Sequence, residues 1–137
     1  MGDVDLVVDT DVLIEALRGD NTARAWLATL EPRVLGIPVL VRMEILLGAR
    51  DAREWRTLGE ELDRYRILHL ETGDSERARD WFDQFHLSHG IGIVDCLIAA
   101  IPFRLGTPFY TFNVKHFLVI PGLDARVPYP QSGLPAV

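Results

Sequence analysis

Three carboxylates stand out because each lies in or beside an apolar stretch: Asp9 after Leu6-Val7-Val8, Glu44 inside Val39–Leu47, and Asp95 at the head of Val94-Asp95-Cys96-Leu97-Ile98-Ala99-Ala100. Carboxylate oxygens are hard anionic ligands suited to divalent cations such as Mg2+ and Mn2+. If a fold gathers the three, their mutual repulsion calls for such cations to offset it. Each also has an ordinary reading. Asp9 can simply cap the helix that follows it, Glu44 can pair with Arg42 or Arg50 at the surface, and Asp95 suits the electropositive start of any helix. Glu44 is the least ordinary, because a carboxylate within so apolar a segment is costly to bury without a cation to meet it.

The elements that must position these residues alternate in kind. Leu6-Val7-Val8 predicts a strand ending at Asp9, and Val12 to Arg18 a helix stopping at Gly19. A second helix starts from a cap at Asn21 or Thr22 and runs through Leu30, and Val34–Ile37 reads as a second buried strand. Pro38 suits the first turn of a helix running through Glu44 to about Gly48. Ala52–Arg64 then predicts a helix, Arg66–Leu70 a strand, and Asp74-Ser75-Glu76 the opening of a helix ending near His86. Ser88–Gly92 reads as a loop, Val94–Leu105 as a helix closed by Gly106, and Phe109-Tyr110-Thr111 as a fourth strand before a turn at Asn113. Pro102 should kink or break its helix, since proline lacks the backbone donor. Strands separated by helices of this length imply a mainly parallel sheet of four or five strands covered on both faces, a three-layer α/β/α sandwich. Asp9 would stand at the carboxyl end of its strand, where open parallel sheets place their ligand crevice.

At 137 residues and 48% apolar composition the chain is expected to form one domain over residues 1–137, with positions from about 121 onward as a surface tail. The single cysteine, Cys96, permits no internal disulfide framework. With no signal-peptide pattern and no apolar run near the ~20 residues of a membrane span, the expected location is the cytoplasm. A net charge of −6 argues against a nucleic-acid binder acting by bulk attraction. Thirteen of the fourteen basic residues are arginine, however, with Lys115 the lone lysine, a bias toward the planar donor that grips phosphate bidentately; a preference for arginine codons explains it equally well. Cys96 lies in an apolar helix and reads as core, as do most of Trp26, Trp55, Trp81, Phe82 and Phe85, although some of these aromatics could form a partner-binding or dimer face.

Four stretches in order resemble the PIN-domain ribonucleases, most closely the VapC toxins of bacterial toxin–antitoxin pairs: Val7–Ile14, Met43–Gly48, Ile93–Ala100, and Thr111–Phe117. The resemblance implies an endoribonuclease dependent on Mg2+ or Mn2+ that cuts a structured RNA such as a tRNA or rRNA loop. It also implies a VapB-like antitoxin partner and a homodimer. By the same resemblance Asp9, Glu44 and Asp95 are the metal-binding acids, and Asn113 holds the fourth catalytic position. Asn113 either contributes its amide oxygen there or forms the turn after the fourth strand. Asp11 belongs either behind the metal-binding acids or at the helix start, and Thr10 and Thr111 could give hydroxyls to the cluster. Lys115 and His116 are candidate phosphate contacts near the site, with Arg18, Arg42 and Arg104 further out, and all five read equally well as solvated surface charges. Two other readings compete: a catalytically silent RNA- or partner-binding module, and a haloacid-dehalogenase-like phosphatase built on Asp9-Thr10-Asp11, which would need a further lysine and acidic pair downstream.

Overall fold

The computed structural model describes residues 4–131. Its elements are β1 (Leu6–Val8), α1 (Thr10–Leu17), α2 (Asn21–Thr29), β2 (Leu35–Pro38), α3 (Val39–Leu47), α4 (Ala52–Leu62), β3 (Arg66–Leu68), α5 (Thr72–His89), α6 (Ile93–Leu105), β4 (Phe109–Tyr110), α7 (Val114–Phe117) and β5 (Ala125–Arg126). All neighbouring strands pair in parallel, in the order β3-β2-β1-β4-β5. Helices flank this sheet, giving the expected three-layer α/β/α arrangement.

The central strands β1 and β2 are apolar because both of their faces are covered, whereas the edge strands β3 and β5 carry the exposed Arg66 and Arg126. Leu6, Val7, Val8, Ile37 and Phe109 have no exposed surface, and Leu13, Val41, Ile98, Ile101 and Phe117 complete the core from the helices. Gly36 leaves room where β2 runs between its neighbours: a Cβ there would fall 2.7 Å from Val4 Cγ1 and 2.8 Å from Leu68 Cδ1, so both side chains would have to shift. Side-chain caps set the helix starts. Asp20, rather than Asn21 or Thr22, caps α2 by accepting from the Ala23 N–H, and Asp51 does the same for α4 from Glu54. Gly90 and Gly106, both left-handed, close α5 and α6.

Three expectations need correction. Helix α6 runs through Pro102 without a break. The lost backbone bond is outweighed by burial, since Ile98, Ala99, Ala100, Ile101 and Pro102 are all enclosed. Helix α5 continues to His89, into the stretch expected to be a loop. The segment after Pro121 is more than a surface wrap, for Ala125–Arg126 adds a fifth strand beside β4; positions 132–137 lie outside the described residues.

Strand order reverses around β1. From β1 the chain builds outward through β2 and β3, then returns to lay β4 on the other side. Open α/β sheets bind ligands beyond the carboxyl ends of the strands at such a switch point. Asp9 follows β1 there and Thr111 follows β4, tied by the Asp9 N–H donating to the Tyr110 carbonyl at 2.9 Å.

Candidate active site at the carboxyl edge of the sheet

Asp9 is 8% exposed and caps α1, its Oδ1 accepting from the Thr10 N–H at 2.8 Å. Its Oδ2 accepts from the buried Thr111 hydroxyl at 2.9 Å. Asp9 thus does cap α1, and the cap leaves its second oxygen turned to Thr111, so the two readings of Asp9 are compatible. Burial, then the charge of Asp11, and more weakly that of Asp95, push its carboxyl up to about 7 against the hydrogen bonds that lower it. Among the described residues no cationic side chain forms an ion pair with Asp9, whose charged neighbours are Asp11 and Asp95.

Asp11 points the same way from the first turn of α1. Its Oδ2 accepts from the Phe112 N–H at 3.2 Å, which ties α1 to the turn after β4. Its other oxygen, Oδ1, is buried with no hydrogen-bond partner among the described residues. Burial foremost, with Asp95 contributing, raises its carboxyl above the ordinary value. Asp95, in the first turn of α6, is half-buried and meets His116 Nε2 at 2.8 Å. His116 is therefore engaged with a carboxylate of the site itself.

Glu44 corrects the expectation drawn from its apolar neighbours. It lies on the exposed face of α3, level with Met43 and Leu47, which are 58% and 82% exposed, so no burial cost arises. Nor does it pair with arginine, because Arg42 meets Asp63 and Arg50 meets Glu54. Instead its Oε1 accepts from the Thr10 hydroxyl at 2.6 Å. Thr10 thus links Glu44 to the residue next to Asp9, and Thr111 links Asp9 to the turn after β4. Asn113 enters through its backbone: its N–H donates to Thr111 Oγ1 at 3.1 Å, and its exposed side chain makes no cap bond.

The structure brings Asp9, Asp11 and Asp95 within mutual electrostatic reach, with Glu44 attached through Thr10. Asp11 was the residue undervalued from sequence; its separation from Asp9 by one residue at a helix start was the available signal. Among the described residues no three His, Cys, Asp or Glu side chains close into a ready metal cage. An open, oxygen-rich set nevertheless fits Mg2+ or Mn2+, because Mg2+ keeps several waters and takes only one or two carboxylates from the protein. The unpartnered Asp11 Oδ1 and the raised Asp9 carboxyl are what such an ion would satisfy. Cys96, next in sequence to Asp95, is buried and its thiol is pushed up to about 11 by burial and then by Asp95, which makes it a core residue and not a nucleophile.

Comparison with known proteins agrees with this fold. The model of the PIN domain family matches residues 6–120. Ribonuclease VapC10 of Mycobacterium tuberculosis is 36% identical over 117 residues, covering 82% of this chain and 85% of that protein. Among solved structures, DNA-bound VapBC from Salmonella typhimurium superposes with a TM-score of 0.79 at 19% identity, covering 92% of this chain and 99% of the other. Mycobacterium tuberculosis VapC20, described as a sarcin-ricin loop cleaving toxin, gives 0.67 at 19% identity, over 82% and 93% of the two chains. The chain belongs to the PIN-domain family, among the VapC ribonucleases, which sets aside the phosphatase alternative.

Proposed function

We propose that this protein is a metal-dependent endoribonuclease, the toxin of a toxin–antitoxin pair, working in the cytoplasm as a single domain. The observation that carries the metal-dependent reading is the Asp9 carboxyl, buried beside Asp11 and Asp95 without a protein cation and raised to about 7. A divalent ion, Mg2+ or Mn2+, would be held by Asp9, Asp95 and Glu44, with Asp11 and Asn113 near enough in the chain's architecture to steady it or its waters. When bound, such an ion lowers the pKa of water and stabilises charge on a phosphodiester.

The chain's own residues do the positioning. Thr111 fixes Asp9 Oδ2 and is itself oriented by the Asn113 N–H. Thr10 restrains Glu44, and His116 holds Asp95 on the same rim. Lys115 is exposed beside His116 and suits a phosphate oxygen of the substrate. The substrate class proposed is a structured RNA, tRNA or rRNA; the description of VapC20 as a sarcin-ricin loop cleaving toxin supports it. A VapB-like antitoxin and a second copy of this chain are the proposed partners, supported by solved relatives described as VapBC and toxin–antitoxin complexes. Among the described residues no helix is long and apolar enough to cross a membrane.

The test is cleavage of total RNA by purified protein with Mg2+ or Mn2+, with chelator, and with Asp9→Asn. Metal-dependent cleavage abolished by chelator and by Asp9→Asn is expected. Undiminished cleavage by folded Asp9→Asn would overturn the assignment.

A further inference from the structure

At the opposite end of the sheet, where β2 and β3 begin, a cavity of about 540 Å3 is lined by Arg24, Arg33, Arg64 and Arg66 together with Tyr65 and Glu31. The lining carries four arginines and one glutamate, and even with Arg64 meeting Glu61 at 3.7 Å this is a local excess of positive charge in a chain of net charge −6. They come from three separate places: Arg24 from α2, Arg33 from the turn before β2, and Arg64 and Arg66 from either side of Tyr65 at the entry to β3. Arg24 and Arg33 are each anchored through Nε to a main-chain carbonyl, of Ala16 at 3.1 Å and Leu30 at 3.4 Å. Such anchoring orients the planar group, and among the described residues neither Arg24 nor Arg33 forms an ion pair with a carboxylate. Tyr65 lies close enough to Glu61, Arg64 and Arg24 to feel all three charges, and Leu27 and Leu30 give the cavity apolar walls.

We propose that this cavity binds a phosphate group carried by a nucleotide, either free or as part of an RNA chain, at a place separate from the acidic site. Guanidinium forks match phosphate oxygens bidentately. A concave surface lined by one sign of charge concentrates its field on an incoming anion. An aromatic ring and aliphatic walls beside the forks suit a base or ribose, which an acidic peptide would leave unused. The volume lies in the usual range for small-molecule sites. The RNA source rests on the nuclease reading above; the phosphate chemistry does not.

The experiment measures anisotropy of a labelled single-stranded RNA, and separately binding of a nucleoside triphosphate without added metal, to full-length Asp9→Asn protein so that cleavage cannot intervene. Arg24→Gln with Arg33→Gln should weaken binding about tenfold and, for RNA, reduce the slope of log affinity against log salt by about 1.4, since each single-strand contact contributes roughly 0.7. Arg79→Gln, on the outer face of α5 and paired with Asp80, should change neither. Should the glutamine pair fail to fold, Arg24→Lys with Arg33→Lys keeps the charge and should still lose affinity for want of the fork. Arginine-dependent binding of the triphosphate would identify a free nucleotide as the source; arginine-dependent binding of RNA alone would identify the chain. Binding that is absent, or unaltered in folded variants, or displaced only by an acidic peptide, overturns the proposal. Wild-type cleavage is scored separately: lost cleavage with arginine-dependent binding sinks only the nuclease reading, and intact cleavage with arginine-independent binding sinks only this one.

Discussion

Two buried aspartates in this molecule face opposite circumstances. Asp74, with no exposed surface, receives Arg104 Nε at 2.9 Å, has Arg77 at 3.6 Å, and accepts from the Glu71 N–H at the start of α5. Asp9, almost as enclosed, receives a threonine hydroxyl and one backbone N–H, and has Asp11 and Asp95 as its charged neighbours. The fold supplies Asp74 with its cations and withholds them from Asp9. A carboxylate neutralised from within serves structure; one surrounded by like charge, at the switch point of a parallel sheet, is poised for a cation from solution.

Substitution should separate the two most sharply. Asp9→Asn keeps the shape and the cap, so the metal-free protein should melt at or slightly above the wild-type midpoint as repulsion with Asp11 and Asp95 is relieved, while cleavage falls by about a thousandfold or more, some 4 kcal/mol in barrier. Asp74→Ala should do the reverse. It takes from Arg104 its buried partner, leaving it Glu71 at 3.2 Å, and removes the bond to the Glu71 N–H, costing about 3 kcal/mol in denaturant unfolding, with cleavage per folded molecule retained. A loss of stability in Asp9→Asn comparable to that in Asp74→Ala would erase the distinction.

The same contrast has a pH signature. Asp9 holds its proton to about pH 7 when folded, against 3.8 in the ordinary case. Its contribution to stability is fully present below the unfolded value and is lost as pH rises through 7, so metal-free protein should be more stable at pH 5 than at pH 8, on the order of 2 kcal/mol from this group. Added Mg2+ should act oppositely. At about a hundred times its dissociation constant it stabilises by roughly 2.7 kcal/mol, and the gain should be larger at pH 8, where the proton no longer competes. Melting curves at both pH values, with and without Mg2+, check this; a gain independent of pH, or one retained by Asp9→Asn, would place the ion elsewhere.

How much of this was legible in sequence follows from what each residue depends on. Asp9 could be placed from Leu6-Val7-Val8 because a short aliphatic run ending in a helix cap is a local pattern, and β1 ends where expected. The helix ends at Gly19 and Gly106 are likewise local, both glycines having positive φ, whereas the end at Gly90 was placed too early, near His86. Glu44 was misjudged because hydrophobicity was read without its phase: Val41, Ile45 and Leu46 turn inward while Met43, Glu44 and Leu47 turn out. Trp55, 52% exposed, also departs from core, whereas Trp81 conforms. The unbroken helix through Pro102 was hidden because its stability comes from tertiary burial, which no local rule sees. The partnership of His116 with Asp95 joins residues twenty-one apart, and the arginine cavity joins three segments; only the folded chain brings these together. Arg64-Tyr65-Arg66 was the visible trace of the latter.

The smallest effects should come from the two threonines that tether the acids, and they rank by burial. Thr111 is wholly buried and donates to Asp9 while accepting from Asn113, so Thr111→Val leaves a buried carboxylate oxygen and a backbone N–H without their partner. An unmade bond of that kind costs about 1–3 kcal/mol, and the Asp9 carboxyl, losing a donor that lowers its pKa, should rise further above 7. Cleavage at neutral pH should then fall about tenfold, with recovery toward pH 9 as the carboxylate ionises. Thr10 donates to Glu44 in an exposed setting, where water can replace the hydroxyl. Thr10→Val should therefore reduce cleavage only about threefold, within the roughly 0.5–1 kcal/mol of an exposed bond, and leave the pH profile unmoved. Equal losses in the two variants, or a shifted profile in Thr10→Val, would show that Glu44 is coupled to Asp9 more tightly than the bond through Thr10 allows.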